Sequence, residues 1–209
     1  MKMFMVILTF LAITGCSVFG QNQVEIAPYT VVKADPAQLI EVRHYDSMIL
    51  VSAAMTSDGR NSAFRQLFRY ISGYNEGSTE IAMTAPVLMA KDGKAQQGTE
   101  IAMTAPVFMD TQSPQPRMSF VMPKHFTLAN TPKPKDPTLQ VTELKDYKVA
   151  AIQFSGTLNN SNVAKHTRLL QQWINEQGYR MVSAPVEAGY NGPMTLPMLR
   201  RNEILIEIR

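Results

Sequence analysis

Ile40-Glu41-Val42-Arg43-His44-Tyr45 opens a pattern that occurs twice in this chain. Residues 143–147 (ELKDY) follow residues 41–45 (EVRHY) at a spacing of 102. Both stretches continue into apolar runs, at 48–55 and at 149–154, which predict two strands, or one bent strand, in each half. We therefore expect two related units, each with the order strands, helix, strands.

An amphipathic helix is predicted after each of these strand regions. In the first helix the apolar residues recur at helical spacing, at Ala63, Phe64, Leu67, Phe68 and Ile71. Gly73 ends this helix, and Asn160 and Gly178 mark the start and end of the second. The spacing of 102 places Leu67 on Leu169, so the two helices occupy equivalent positions.

Two such units predict an α+β fold, a distorted antiparallel β-barrel of about eight strands with two helices and pseudo-two-fold symmetry. The halves cover residues 37–126 and 138–209 of a single domain, and a proline-rich connection lies between them. The surface between two similar halves is a natural cleft for a small ligand.

An octapeptide, EIAMTAPV, is present at residues 80–87 and again at residues 100–107. Its alternating apolar side chains are typical of a half-buried strand, and the polar residues between the copies favour a turn. The two copies are predicted to form adjacent antiparallel strands. The octapeptide carries no nucleophile, acid or base besides its leading glutamate, so a structural role is favoured over a catalytic one.

The first 15 residues have the features of a secretory leader, with an early lysine, an apolar run and small residues at the end. Ile13-Thr14-Gly15-Cys16 resembles the lipobox of bacterial lipoproteins, in which the cysteine becomes the lipidated first residue. Ser17 resembles the residue found there in lipoproteins of the outer membrane. A plain secretory signal, cleaved near Ala12 or Gly20, is the alternative.

Charge and cysteine content limit the remaining possibilities. The formal net charge is +3, too small and too scattered to indicate nucleic-acid binding. Cys16 is the single cysteine, so no intramolecular disulfide forms. Residues 16–36 are predicted to be a lipidated tether. We therefore expect a lipid-anchored protein of the bacterial cell envelope, on the outer membrane and facing the periplasm.

The chain shows little sign of catalytic chemistry. His44, His125 and His166 are not at metal-ligand spacing, and no Gly-x-Ser-x-Gly turn or glycine-rich phosphate loop is present. An enzyme with a site formed only by folding stays open. The sequence indicates an apolar binding surface more strongly than a catalytic site, because Phe64 and Phe68 lie one helical turn apart with Arg69 beside them. A flat apolar ligand with carboxylate arms suits this surface, and plain core packing is the alternative.

Several of these stretches together resemble the SOUL haem-binding protein family, from about residue 40 to the C-terminus. The elements that carry the resemblance are Glu41-Val42-Arg43 with Tyr45, residues 70–75 (YISGYN), the two IAMTAPV copies, residues 120–123 (FVMP), residues 190–193 (YNGP) and Arg200-Arg201-Asn202-Glu203. The resemblance implies a distorted barrel made of two similar halves. It also implies tetrapyrrole binding on an open apolar surface, often without an axial ligand.

The resemblance also points to individual residues. Within the family, the ligand surface is attributed to one side of the first helix and to the loop before the last strand. The matching positions here are Asn61, Phe64, Phe68, Arg69, Met194 and Thr195. If an axial ligand is used, His166 and His44 are the candidates.

The function implied is non-covalent binding of haem or a related porphyrin, with haem as a ligand and not as a catalytic cofactor. The fold also resembles the effector-binding domains of drug-responsive regulators, which take varied flat hydrophobic ligands. Two alternatives stay open: a hydrolase or other enzyme acting on a small hydrophobic molecule in the same cleft, and an envelope protein whose groove takes a partner segment.

Overall fold

The computed structural model describes residues 25–55, 59–85, 87–90, 116–192 and 194–209. In chain order the elements are β1 (Glu25–Ile26), β2 (Thr30–Asp35), β3 (Ile40–Ala54), α1 (Gly59–Ile71), β4 (Thr84–Ala85), β5 (Val87–Ala90), β6 (Arg117–Val121), β7 (Gln140–Phe154), α2 (Asn160–Glu176), β8 (Val186–Gly189), a 3-10 turn (Pro197–Leu199) and β9 (Asn202–Glu207). Two helices and a largely antiparallel set of strands confirm the predicted α+β class.

The two long strands β3 and β7 form the centre of the fold. They pair antiparallel from Ile40 opposite Ile152 to Ser52 opposite Gln140. Tyr45 pairs with Tyr147, its equivalent at the spacing of 102, and the ring centroids are 6.2 Å apart. A residue that pairs with its own equivalent lies on the two-fold axis. Adding 102 to the bounds of α1 gives 161–173, which lies within α2, so the predicted pseudo-symmetry is confirmed.

Seven of the described strands form one sheet, in the order β2-β3-β6-β5-β8-β9-β7, and β3 also pairs with β7. Strands β1 and β4 pair separately and run parallel. The strand pairings run from β3 through β6, β5, β8 and β9 to β7, which pairs with β3, but closure into a β-barrel is not confirmed because one of these contacts is short. In the part described, β5 and β6 share only the residue pairs Leu88–Ser119 and Met89–Met118.

The predicted hairpin of the two octapeptide copies involves residues that the structure does not describe. The first copy is divided between β4 and the start of β5, and the second copy lies outside the described residues. Strand β5 has β6 on one side and β8 on the other. The pairing of the two copies therefore stays a prediction.

Two predicted boundaries also differ from the structure. Residues 25–35, which were assigned to the tether, include β1 and β2, and β2 pairs with β3 from Thr30 to Asp35. The sequence of residues 181–186 (MVSAPV) also predicts a strand, but β8 begins only at Val186, and Met181 forms an isolated bridge with Ile208. Cys16 and the leader lie outside the described residues.

The helices cover two separate apolar clusters. The first cluster contains Ala63, Leu67 and Tyr70 of α1, and the second contains Leu170 and Trp173 of α2. At its start α2 has an N-cap, in which Asn159 Oδ1 accepts a hydrogen bond from Asn162 N at 2.9 Å. Each helix therefore buries one side against the sheet, and its opposite side is available to solvent.

A buried ion pair connects the two halves inside the sheet. Arg43 of β3 donates two hydrogen bonds to Glu203 of β9, from Nη1 to Oε2 at 2.7 Å and from Nη2 to Oε1 at 2.9 Å. Both side chains are buried. This two-pronged geometry is the strongest form of an arginine–carboxylate contact, because both hydrogen bonds are charge-assisted.

Further groups complete this network. Tyr190 Oη donates to Glu203 Oε2 at 2.6 Å, and Arg201 Nη2 donates to Glu203 Oε1 at 2.7 Å. Arg43 Nε donates to Glu41 Oε2 at 2.7 Å. Burial acts to raise the pKa of Glu203, but the hydrogen bonds and charges of Arg43 and Arg201 outweigh it and hold that pKa below its ordinary value. Glu203 is therefore a buried carboxylate.

Replacing Glu203 by Gln leaves the buried guanidinium of Arg43 and the partly exposed guanidinium of Arg201 without the carboxylate they share, so the free energy of unfolding should fall by about 3–5 kcal/mol at pH 7. The pKa of Glu203 in the folded chain lies below its unfolded value, near 4.5. Its contribution is therefore complete above about pH 4.5 and is lost as the pH falls further. Urea unfolding of both proteins over a pH series measures this. Equal midpoints at pH 7, or equal acid slopes, contradict the prediction.

Candidate functional site

The exposed side of α1 carries a pair of phenylalanine rings. Phe64 and Phe68 stack with their ring centroids 5.8 Å apart, and Phe64 also meets Phe120 of β6 edge to face at 5.6 Å. Phe64 is half-buried, whereas Phe68 is 45% exposed. The inner ring is therefore fixed by the core, and it supports an outer ring that faces solvent.

Three arginines accompany these rings on α1, which has no acidic residue. Arg60 Nη2 bonds Glu187 Oε2 at 2.8 Å and so ties the helix to β8. The guanidinium of Arg69 lies 4.2 Å from the centroid of the Tyr74 ring. Arg65 and Arg69 are both exposed. The side of α1 that faces solvent is therefore both aromatic and positively charged.

The loop before β9 contributes less than predicted. Met194 is 74% exposed, but Thr195 is buried. Thr195 N donates to Gly192 O at 3.2 Å, and Thr195 O accepts a hydrogen bond from Arg200 Nε at 2.8 Å. Of the two predicted loop residues, only Met194 presents its side chain to a ligand. Sequence reasoning missed three other exposed apolar side chains of this loop, Leu196, Met198 and Leu199.

The sheet brings the base of this loop to the side occupied by α1. Ala188 pairs with Leu88, and Leu88 pairs with Ser119, so the three lie in one row across β8, β5 and β6. Gly189 and Phe120 are the next residues in their strands. Neighbouring strands are about 4.8 Å apart, which places the backbone of Gly189 about 10 Å from the backbone of Phe120. Because Arg60 of α1 also bonds Glu187 of β8, α1 lies next to the strand that leads into the loop.

Asn61 lies in the first turn of α1 and is half-buried, on the same side of the helix as Phe68. The predicted residues Asn61, Phe64 and Phe68 thus form one continuous strip along the helix. Arg69 lies outside this strip, because its guanidinium is turned towards Tyr74. The structure brings together the apolar part of the predicted site more closely than its charged part.

The two candidate axial histidines lie elsewhere. His44 is in β3, with Nε2 2.7 Å from Asp146 Oδ1 and Nδ1 3.1 Å from Asp46 Oδ1. His166 is on α2, where its ring stacks on Phe154 with centroids 4.0 Å apart. Neither residue belongs to α1 or to the loop before β9. The surface around Phe68 is therefore built from apolar and cationic groups.

Several residues of the recognised sequence elements have structural partners. Asn75 is buried, donates to Tyr70 O at 2.8 Å and Thr79 O at 2.7 Å, and accepts from Thr79 N at 2.9 Å. Arg43 and Glu203 belong to the core network described above. Asn75, Arg43 and Glu203 therefore hold the scaffold together.

Two further properties of the described residues bear on function. No group of three or more His, Cys, Asp or Glu side chains in these ranges is arranged to hold a metal ion. Neither α1 nor α2 is both long enough and apolar enough to span a bilayer. Glu203 is the most deeply buried of the carboxyl groups with a lowered pKa. It is enclosed by Arg43, Arg201 and Tyr190 and does not face the α1 surface.

The two rings on α1 should differ in their effect on stability. Phe64→Ala removes a half-buried ring from its contact with Phe120, so the free energy of unfolding should fall by about 2–3 kcal/mol. Phe68→Ala removes a largely exposed ring and should change it by less than about 1 kcal/mol. Thermal or urea unfolding of both variants tests this difference. A larger loss for Phe68→Ala than for Phe64→Ala contradicts the assignment of inner and outer rings.

Known proteins are similar to this chain in sequence and in fold. The SOUL heme-binding protein family matches residues 24–97 and 91–207. Heme-binding protein 1 of Xenopus laevis is 23% identical over 168 residues, which are 78% of this chain and 80% of that protein.

Solved structures share the fold at low identity. The C-terminal domain of EcmrR has a TM-score of 0.55 at 11% identity, covering 81% of this chain and 96% of its own. An uncharacterized conserved protein from Listeria innocua has a TM-score of 0.56 at 10% identity, covering 82% and 93%. A hydrolase from Listeria innocua has a TM-score of 0.52 at 9% identity, covering 82% and 92%. Because the family matches span residues 24–207, the chain belongs to the SOUL heme-binding protein family.

Proposed function

We propose that this protein binds haem or a related tetrapyrrole non-covalently on the exposed side of α1. The observation that carries the proposal is the ring of Phe68, which is exposed, stacked on Phe64 and flanked by arginines. Family membership and the name of the Xenopus laevis relative support the same ligand class.

The residues of α1 match the two chemical parts of such a ligand. A tetrapyrrole ring is flat and apolar. Its contact with an exposed aromatic ring removes apolar surface from water, which contributes a binding free energy of about 25 cal/mol for each Å² buried. Its carboxylate arms are suited to guanidinium groups. Phe68 and Met194 would contact the ring, and the arginines would contact the arms.

The same surface favours binding without an axial protein ligand. Neither α1 nor residues 194–200 contain a histidine. Haem, when bound, supplies an iron centre with redox and ligand-binding chemistry, while the α1 side chains hold the macrocycle through its face and its edge. Affinity then depends on apolar contact and charge.

We also propose that a lipid on Cys16 anchors the protein to the outer membrane, facing the periplasm. The support is the lipobox-like sequence Ile13-Thr14-Gly15-Cys16 at the end of an apolar leader. Eight residues separate Cys16 from Glu25, where β1 begins, so the two are at most about 30 Å apart along the chain. The ligand surface would thus work close to a membrane. A stable anchor requires more than one acyl chain.

Haemin titration tests the ligand proposal. The full-length protein in detergent should give a saturable Soret change over a detergent blank, and Phe68→Asp should weaken binding about tenfold or more, because it places a carboxylate against the ring and the arms. Leu169→Asp is the matched control, since Leu169 is 41% exposed on α2. It should bind as the wild type does. A flat wild-type titration at micromolar haemin, or an equal loss in both variants, rejects the proposal.

Cell fractionation and mass spectrometry test the anchor. The wild-type protein should be recovered from the outer membrane, with a mass that corresponds to a chain beginning at Cys16 plus acyl groups. Cys16→Ser should abolish the acylated mass and release the protein from the membrane fraction. Membrane recovery of Cys16→Ser equal to that of the wild type, or a wild-type mass without lipid, would show that the leader is a plain secretory signal.

A further inference from the structure

We infer that Arg65 binds a carboxylate group of the ligand, and that this contact selects tetrapyrroles with free carboxylates over esterified or neutral ones. The inference rests on the proposed function of the α1 surface. It adds a residue that sequence reasoning did not single out, and it defines the ligand class by its charge.

Arg65 differs from the other arginines of α1 in its surroundings. Arg60 is paired with Glu187, and Arg69 lies over the ring of Tyr74. Within the described ranges, Arg65 is exposed and takes part in no hydrogen bond, ion pair or ring contact. Its guanidinium can therefore meet a ligand without first breaking an internal contact.

The position of Arg65 on the helix places it beside the exposed ring. Residues three or four apart on a helix are surface neighbours. Arg65 precedes Phe68 by three residues and follows Asn61 by four. At about 100° for each residue, Arg65 lies about 60° around the helix from Phe68, whereas Arg69 lies about 100° away. A flat ligand on Phe68 therefore has its edge closer to Arg65 than to Arg69.

The charges of α1 support an anionic ligand. Arg65 and Arg69 are four residues apart, a spacing at which like charges destabilise a helix. The helix itself has no acidic residue to offset them, and Asp136 is a described carboxylate that interacts electrostatically with Arg69. A ligand carboxylate on Arg65 relieves the repulsion that remains.

The test compares haemin with haemin dimethyl ester, titrated into the full-length protein in detergent. Wild-type protein should bind haemin about tenfold more tightly than the ester. Arg65→Gln should remove most of this preference, because it lowers the affinity for haemin and leaves the affinity for the ester unchanged. Arg65→Lys should restore part of it. Arg168→Gln, an exposed arginine of α2, should leave both affinities as in the wild type, and thermal unfolding of each variant checks its fold.

The outcomes separate this inference from the proposed function. If Arg69→Gln removes the preference and Arg65→Gln does not, the assignment to Arg65 is wrong. If wild-type protein binds both porphyrins equally, tetrapyrrole binding stands and carboxylate recognition is rejected. If neither porphyrin gives saturable binding, the proposed function fails as well. If Arg65→Gln weakens the binding of haemin and of the ester equally, Arg65 has a packing role and the inference is overturned.

Discussion

The two-pronged contact between Arg43 and Glu203 is the constraint around which the halves of this protein are arranged. Removing two charges from water costs several kcal/mol for each, and only complete hydrogen bonding offsets that cost. Here Tyr190 and Arg201 supply the remaining partners of the carboxylate. The network fills the interior between β3 and β9, where a cleft between similar halves was expected. The proposed ligand would therefore bind outside this interior, on a surface that the pseudo-symmetric core supports.

The two helices show how a duplicated fold gives one half a different task. The buried residues Leu67, Tyr70 and Ile71 of α1 recur as Leu170, Trp173 and Ile174 of α2, at a spacing of 103, so Phe64 corresponds to Thr167 and Phe68 to Gln171. Both of these α2 residues are polar and half-buried, so this side of α2 carries no aromatic pair. In α1 the equivalent positions form a stacked pair whose outer ring is open to solvent. The same backbone arrangement thus gives a structural helix in one half and a candidate binding helix in the other.

Local patterns in the sequence were enough to predict the helices, the long central strands and the repeat, because each depends on spacing within a short window. Two features depended on distant partners and were not predicted in this way. Strand β5 lies between β6 and β8, and no local pattern indicated these two partners. Arg65 looks like any surface arginine in sequence; only the structure shows that Arg60 and Arg69 have partners while Arg65 has none among the described residues.

A ligand on the outside of one helix is covered on one face only, and this has a consequence for the loop before β9. Met194 and Met198 are both 74% exposed, at the border of the same surface. Methionine is flexible and adapts to irregular apolar shapes. In the proposed complex these side chains supply the second apolar face, so that Phe68 and the loop hold the macrocycle between them while its arms point to the arginines. Because the loop side chains rearrange more easily than a closed core, such a site favours reversible exchange of the ligand over permanent retention.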